Sequence, residues 1–183
     1  ALLYTCNSTK PIHISNFETK NFSELFDIER GEPIVAIGAW CLMSNHFHLM
    51  LKEIREGGIS LFMQRLLTAY TMYFNKRAHR QGTLYEGPYK FELVSNDRYL
   101  KYLSSYIHLN PVKLIDSKWK ENSIKDKGAS KKFLDEYAYS SYLDHKGIIR
   151  PQNKILNKTA FPEYFQTTKD FNQEIDSWLS FSK

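Results

Sequence analysis

Cysteine, long apolar runs and internal repeats are what this 183-residue sequence lacks. Only Cys6 and Cys41 are present, too few for a disulfide framework, so a reducing, intracellular setting is the simplest reading. No apolar run approaches the ~20 residues that a bilayer-spanning helix needs, and no signal-peptide pattern opens the chain. Acidic residues are missing from 57–85, a stretch that holds Arg65, Lys76, Arg77 and Arg80. What is there argues for a folded protein: 42% hydrophobic and 15% aromatic residues, in a chain long enough for one domain with a core. A net charge of +5 and a pI near 9.0 suit a partner that carries phosphates. The chain starts at Ala1 with ALLYTCN, which reads as the end of a helix without an initiator Met, so an N-terminal piece is expected to be missing.

A polar loop leads to NFSELFDIERGEP, where Gly31 and Pro33 are stop signals. Residues 34–43, IVAIGAWCLM, read as a buried strand. Ser44 and Asn45 make a turn, and 46–52 return as a second strand, giving a hairpin. Gly57 and Gly58 precede a long helix, about 59–79, with Phe62, Leu66, Ala69, Tyr70, Tyr73 and Phe74 on one apolar face. Its basic end either complements its own dipole or, with the nearby aromatics Phe74, Tyr85 and Tyr89 and with Lys90, suits a nucleic-acid backbone with unstacked bases. Alternation over 89–95, YKFELVS, predicts another strand. Asn96 or Asp97 caps a helix that runs to about Leu109 and stops at Pro111. Residues 116–132 are rich in Lys, Ser and Asp, and 133–183 carry aromatics on short helical segments.

Two stretches carry chemistry. In MSNHFHLML (43–51), His46 and His48 share one strand face, where both imidazoles reach a single divalent metal. The structural alternative is a partly buried pair bonded to backbone. In YIHLNP (106–111), Tyr106 and Asn110 lie four residues apart and share a helical face, rotated by about 40°. His108, rotated by about 200°, points away from it. Tyr102 shares the face and stays a rival; Tyr99 is placed off it. Taken alone, Tyr106 reads more readily as a core aromatic and Asn110 as a helix terminator. Taken together, two imidazoles and an amide oxygen suit Mg²⁺ or Mn²⁺, and a phenol serves as a reversible nucleophile toward a phosphodiester.

MSNHFHLML resembles the His-hydrophobic-His (HUH) motif of single-tyrosine HUH transposases, of the insertion-sequence and REP-associated kinds. The likeness continues through FNKRAHRQGTLYEGPYK (74–90) into YIHLNP and covers about 34–115. Ser44 departs from the family's usual proline, and Pro88 from a common basic residue. The resemblance implies an α+β, ferredoxin-like HUH endonuclease fold: an antiparallel sheet packed against helices, here with its first strand expected to be missing. It implies a catalytic domain over 1–115, followed by a helical extension over 116–183.

The function so implied is metal-dependent cleavage and rejoining of single-stranded DNA with hairpin structure, in DNA transposition. Tyr106 would form a 5′-phosphotyrosine link, and His46, His48 and Asn110 would hold Mg²⁺ or Mn²⁺. Arg65, Lys76, Arg77, Arg80, Tyr85, Tyr89 and Lys90 are the expected DNA contacts. A prokaryotic cytoplasmic, nucleoid-associated protein is implied, not a membrane one, as a monomer or homodimer. Two other readings are an inactive relative that binds structured DNA, and a zinc-stabilised module built on Cys41, His46 and His48.

Overall fold

The computed structural model describes residues 1–10, 12, 21–165 and 167–180. Most of the polar loop expected after residue 10 lies outside them. The chain forms two compact units, one of 1–36 and 52–93, the other of 37–51 and 94–183. Residues of both contribute to one hairpin: among the described residues, strand β1 (Val35–Leu42) and strand β2 (Phe47–Glu53) make a two-stranded sheet. The base of the hairpin falls in the first unit and its histidine-bearing end in the second.

The first unit opens with a short helix, α1 (Leu2–Thr5), where a helical stub was expected. Leu3, Leu25, Phe26, Phe62 and Met63 are buried here. Asn7 ties the start of β1 in place. Its Oδ1 accepts from the amides of Ile34 (2.9 Å) and Val35 (3.0 Å), and its Nδ2 donates to the Val35 carbonyl (2.8 Å). The long helix α2 (Gly58–Arg77) begins where Gly57 takes a φ of 71°, a conformation that costs glycine little. A Cβ on Gly58 would lie 2.4 Å from the Ile34 carbonyl oxygen, so only glycine admits this approach.

Two expectations change in this unit. The apolar face predicted for α2 is buried only in its first half, at Phe62 and Leu66, whereas Tyr70 and Tyr73 are exposed. The strand predicted over 89–95 is coil, with Phe91 and Leu93 more than 80% exposed. Alternation prepares a segment for a sheet, but a strand also needs a neighbour for its ladder, and among the described residues this one has none.

In the second unit, Ile37–Trp40 are buried, apart from Gly38 all as apolar core, and Cys41 is buried with them. Residues 139–141 cover the edge of β1: the Leu42 amide donates to the Tyr139 carbonyl and the Ser141 amide to the Trp40 carbonyl, both at 2.8 Å. Helix α3 (Asp97–Leu109) starts as the sequence implies, with the Asn96 side chain accepting from the Tyr99 amide at 2.8 Å. Pro111 does not end the helical path. A 3₁₀ turn, Asn110–Leu114, follows with Pro111 in its first turn, where the missing N–H costs nothing.

Among the described residues, four more α-helices follow: α4 (Trp119–Asn122), α5 (Lys127–Glu136), α6 (Tyr142–His145) and α7 (Thr168–Ser180). Leu109 and Val112 share one apolar core with Trp119, Leu134, Tyr142, Phe171 and Ile175. Residues after 115 therefore build the floor beneath α3. Among the described residues no helix is long and apolar enough to cross a membrane.

Candidate active site

Everything at this site belongs to the second unit. His46, at the hairpin turn, is exposed, and His48, on β2, is half-buried. Their rings meet edge-on with centroids 5.0 Å apart, as their shared strand face predicts. Asn45 Oδ1 lies 2.7 Å from His46 Nδ1. The His48 ring is in turn 5.6 Å from that of Tyr106 on α3.

The outer side of α3 is a ladder of tyrosines. Tyr102 stacks on Tyr106 at 6.1 Å with the planes 5° apart, and Tyr99 stacks on Tyr102 at 5.8 Å. Tyr99 therefore lies on the same face, not off it: seven residues make nearly two turns, leaving it only about 20° from Tyr106. Tyr106 is the ring of this ladder that meets His48; Tyr102 stands behind it. The opposite side of α3 is structural. His108 is fully buried, its Nδ1 2.8 Å from the Ser104 carbonyl and its Nε2 2.8 Å from Ser141 Oγ.

Two buried polar atoms here have no hydrogen-bond partner: His48 Nε2 and Asn110 Oδ1. Asn110 is fully buried and donates from Nδ2 to the Tyr106 carbonyl at 2.8 Å, which leaves its oxygen unused. Stranded acceptors of this kind are costly unless a ligand meets them. Burial lowers the His48 pKa to about 4, helped by His46, Lys113 and Lys120, and burial and Lys113 lower that of His46. Both rings are thus neutral at pH 7, the form that binds metals. An imidazole nitrogen and an amide oxygen without partners, beside a second neutral imidazole, fit a divalent cation.

Lys113 and Lys120 were not foreseen as site residues. The Lys120 Nζ lies 3.7 Å from the centroid of the Tyr106 ring. Burial alone would raise the Tyr106 pKa, but Lys120, Lys113 and the Asn110 side chain outweigh it and the net shift is downward. Nothing in the polar run 116–132 distinguishes Lys120 from its neighbours; only the return of α4 over α3 does.

The model of the IS200-like transposase family matches residues 7–110, more than half of the chain. This chain belongs to the IS200-like transposase family. No curated protein and no solved structure matches it. The family match spans His46, His48, Tyr106 and Asn110, and it begins well upstream of the first motif on which the resemblance rests.

The geometry lends no support to the zinc alternative. Among the described residues no three His, Cys, Asp or Glu side chains cluster as metal ligands. The Cys41 thiol is fully buried, 3.8 Å from Met43 Sδ, and burial pushes its pKa up to about 12.

The expected DNA contacts all lie in the first unit. Lys76, Arg77, Arg80 and Lys90 are exposed, and Tyr85 and Tyr89 are half-buried. Tyr85 packs 6.5 Å from Tyr70, and Arg77 donates to the Tyr73 hydroxyl at 3.1 Å. Arg65 differs: it is half-buried and donates to the Ser8 carbonyl at 2.6 Å, a bond that fastens the N-terminal segment to α2.

Proposed function

We propose that this chain is a metal-dependent endonuclease and strand transferase for single-stranded DNA, with Tyr106 as nucleophile and a 5′-phosphotyrosine intermediate. The observation that carries the proposal is the contact of Tyr106 with His48, beside the unpartnered His48 Nε2 and Asn110 Oδ1. His46, His48 and Asn110 would hold Mg²⁺ or Mn²⁺, which would neutralise charge on the scissile phosphate. Lys120 and Lys113 favour the phenolate of Tyr106 and add positive charge where a phosphate must come to rest. In the forward step the Tyr106 oxygen bonds to phosphorus, the P–O3′ bond breaks, and the departing 3′ oxygen takes up a proton. The phenol is itself a good leaving group, so a 3′-hydroxyl reverses the step and joins strands.

Residues 1–115 carry this chemistry on an HUH fold, and the helices after 115 support and wall the site. Lys76, Arg77, Arg80 and Lys90 supply phosphate contacts, with Tyr85 and Tyr89 available for stacking, on a strand that carries a hairpin. Arg65 joins them only if its bond to Ser8 is exchanged.

The test is incubation of the full chain with labelled single-stranded DNA from the flanks of its own gene, in Mn²⁺ or in excess EDTA. Cleavage in Mn²⁺ alone, and of the single strand but not of duplex, is the expected result. Equal cleavage in EDTA removes the metal from the reaction. Binding of hairpin DNA without any cleavage makes the protein a DNA-binding relative instead.

A further inference from the structure

Beside Tyr106 lies a cavity of about 260 Å³. Tyr102, Tyr106, Trp119 and Trp178 line it, with Lys120 among them. Three features separate it from an ordinary surface dent. Its walls are flat rings: Trp178 is 5.3 Å from Tyr102, and Tyr102 is parallel to Tyr106. The Trp119 side chain is 5% exposed and its Nε1 has no hydrogen-bond partner, a buried donor in need of an acceptor. Lys120 gives the cavity a positive charge within reach of Tyr106.

We propose that this cavity is a nucleobase pocket, which holds a base of the single strand next to the phosphate that Tyr106 attacks. The inference rests on the reading of Tyr106 as the nucleophile. A planar aromatic ligand matches planar aromatic walls, and stacking on them is open to any base. The adjoining phosphates match Lys120. A base fixed here sets the register of the strand on the nucleophile, so the pocket determines which phosphodiester is cut. Trp178, contributed by α7, is then a specificity residue of the site.

The experiment measures affinity and tryptophan emission of the full chain in excess EDTA, so that no strand is cut. The probes are oligothymidylate, oligodeoxyadenylate and an abasic strand of the same length, about a dozen nucleotides. The parent is expected to bind the base-bearing strands about tenfold more tightly than the abasic one, with quenched tryptophan emission. Trp178→Leu is expected to erase most of that preference while its affinity for the abasic strand stays unchanged. Trp178 also packs against the core, so Tyr102→Leu is the second arm; that ring is 40% exposed and its loss spares folding. An undiminished base preference in both variants overturns the pocket, as does equal weakening toward the abasic strand. A parent without any base preference that still forms the Tyr106 adduct refutes this inference alone. An intact effect with no adduct on Tyr106 leaves a base-binding pocket and removes the transferase.

Discussion

The two units use the same kinds of residue, tyrosines beside lysines and arginines, in opposite ways. In the first unit Tyr70, Tyr73, Lys76, Arg77 and Arg80 stand on the exposed half of α2 and just beyond it. In the second, Tyr106 stands between His48 of the hairpin and Lys120 of α4, and His48 Nε2 and Asn110 Oδ1 have no hydrogen-bond partner. Under the proposed function, the difference matches what each task needs. Affinity for a polyanion needs charge that water can reach and salt can screen. Bond breaking needs groups fixed before the substrate arrives, with their hydration already removed.

That contrast predicts large, all-or-none effects in the second unit and graded ones in the first. After loss of the nucleophile itself, His48→Ala should cost the most, roughly a thousandfold in cleavage rate, as expected for loss of metal charge stabilisation. Hairpin-DNA affinity measured in EDTA should barely change, and a parallel loss of affinity would erase the division between the units. Asn110→Leu comes next, raising the Mn²⁺ needed for half-maximal cleavage on the order of tenfold, whereas Asn110→Asp should keep or tighten metal binding. An unaltered Mn²⁺ requirement in Asn110→Leu would make Asn110 a helix terminator only. Charge reversal at Lys76 and Arg77 together should flatten the log–log salt dependence of single-strand binding by about 1.4. An unchanged slope would move the phosphate contacts elsewhere, for instance to the lysine-rich 125–132.

A separate effect is on stability. His145 is buried, donates from Nε2 to the Gly38 carbonyl at 2.8 Å, and burial with Lys158 lowers its pKa to about 4. The unfolded chain takes up a proton at this residue near pH 6.5, well before the folded chain does. Its contribution is therefore complete above pH 6.5 and falls away as pH drops toward 4, by about 3 kcal/mol in all. Thermal unfolding followed over that window should show the loss, and His145→Gln should flatten it. A variant profile as steep as the parent's would assign the acid sensitivity to other groups.

Much of the frame was legible from the sequence because it depends on near neighbours. The hairpin followed from the apolar run of 34–43, the Ser44–Asn45 turn and the returning strand, and α3 from its Asn96 cap. The histidine pair followed from strand alternation, and its contact with Tyr106 accords with the family motifs. What escaped depends on distant parts of the chain. YKFELVS has the pattern of a strand, yet among the described residues no ladder receives it. The exposure of Tyr70 and Tyr73 depends on where the core under α2 ends, which helical spacing cannot tell. Lys120 sits in a polar run that reads as solvated, and Trp178 lies 72 residues after Tyr106; only the folded chain brings both to the tyrosine ladder.

The central claim is that the Tyr106 oxygen attacks phosphorus, and one measurement addresses it directly. Labelled single-stranded DNA from the gene's flanks is incubated with the protein and Mn²⁺ and resolved on a denaturing gel, and the adducted peptide is sequenced by mass spectrometry. The parent should give a covalent protein–DNA species with the phosphate on Tyr106. Tyr106→Phe, which removes one oxygen atom and keeps the ring, should give none while still binding the strand. An adduct that persists in Tyr106→Phe, or that maps to Tyr102 in the parent, would contradict the account.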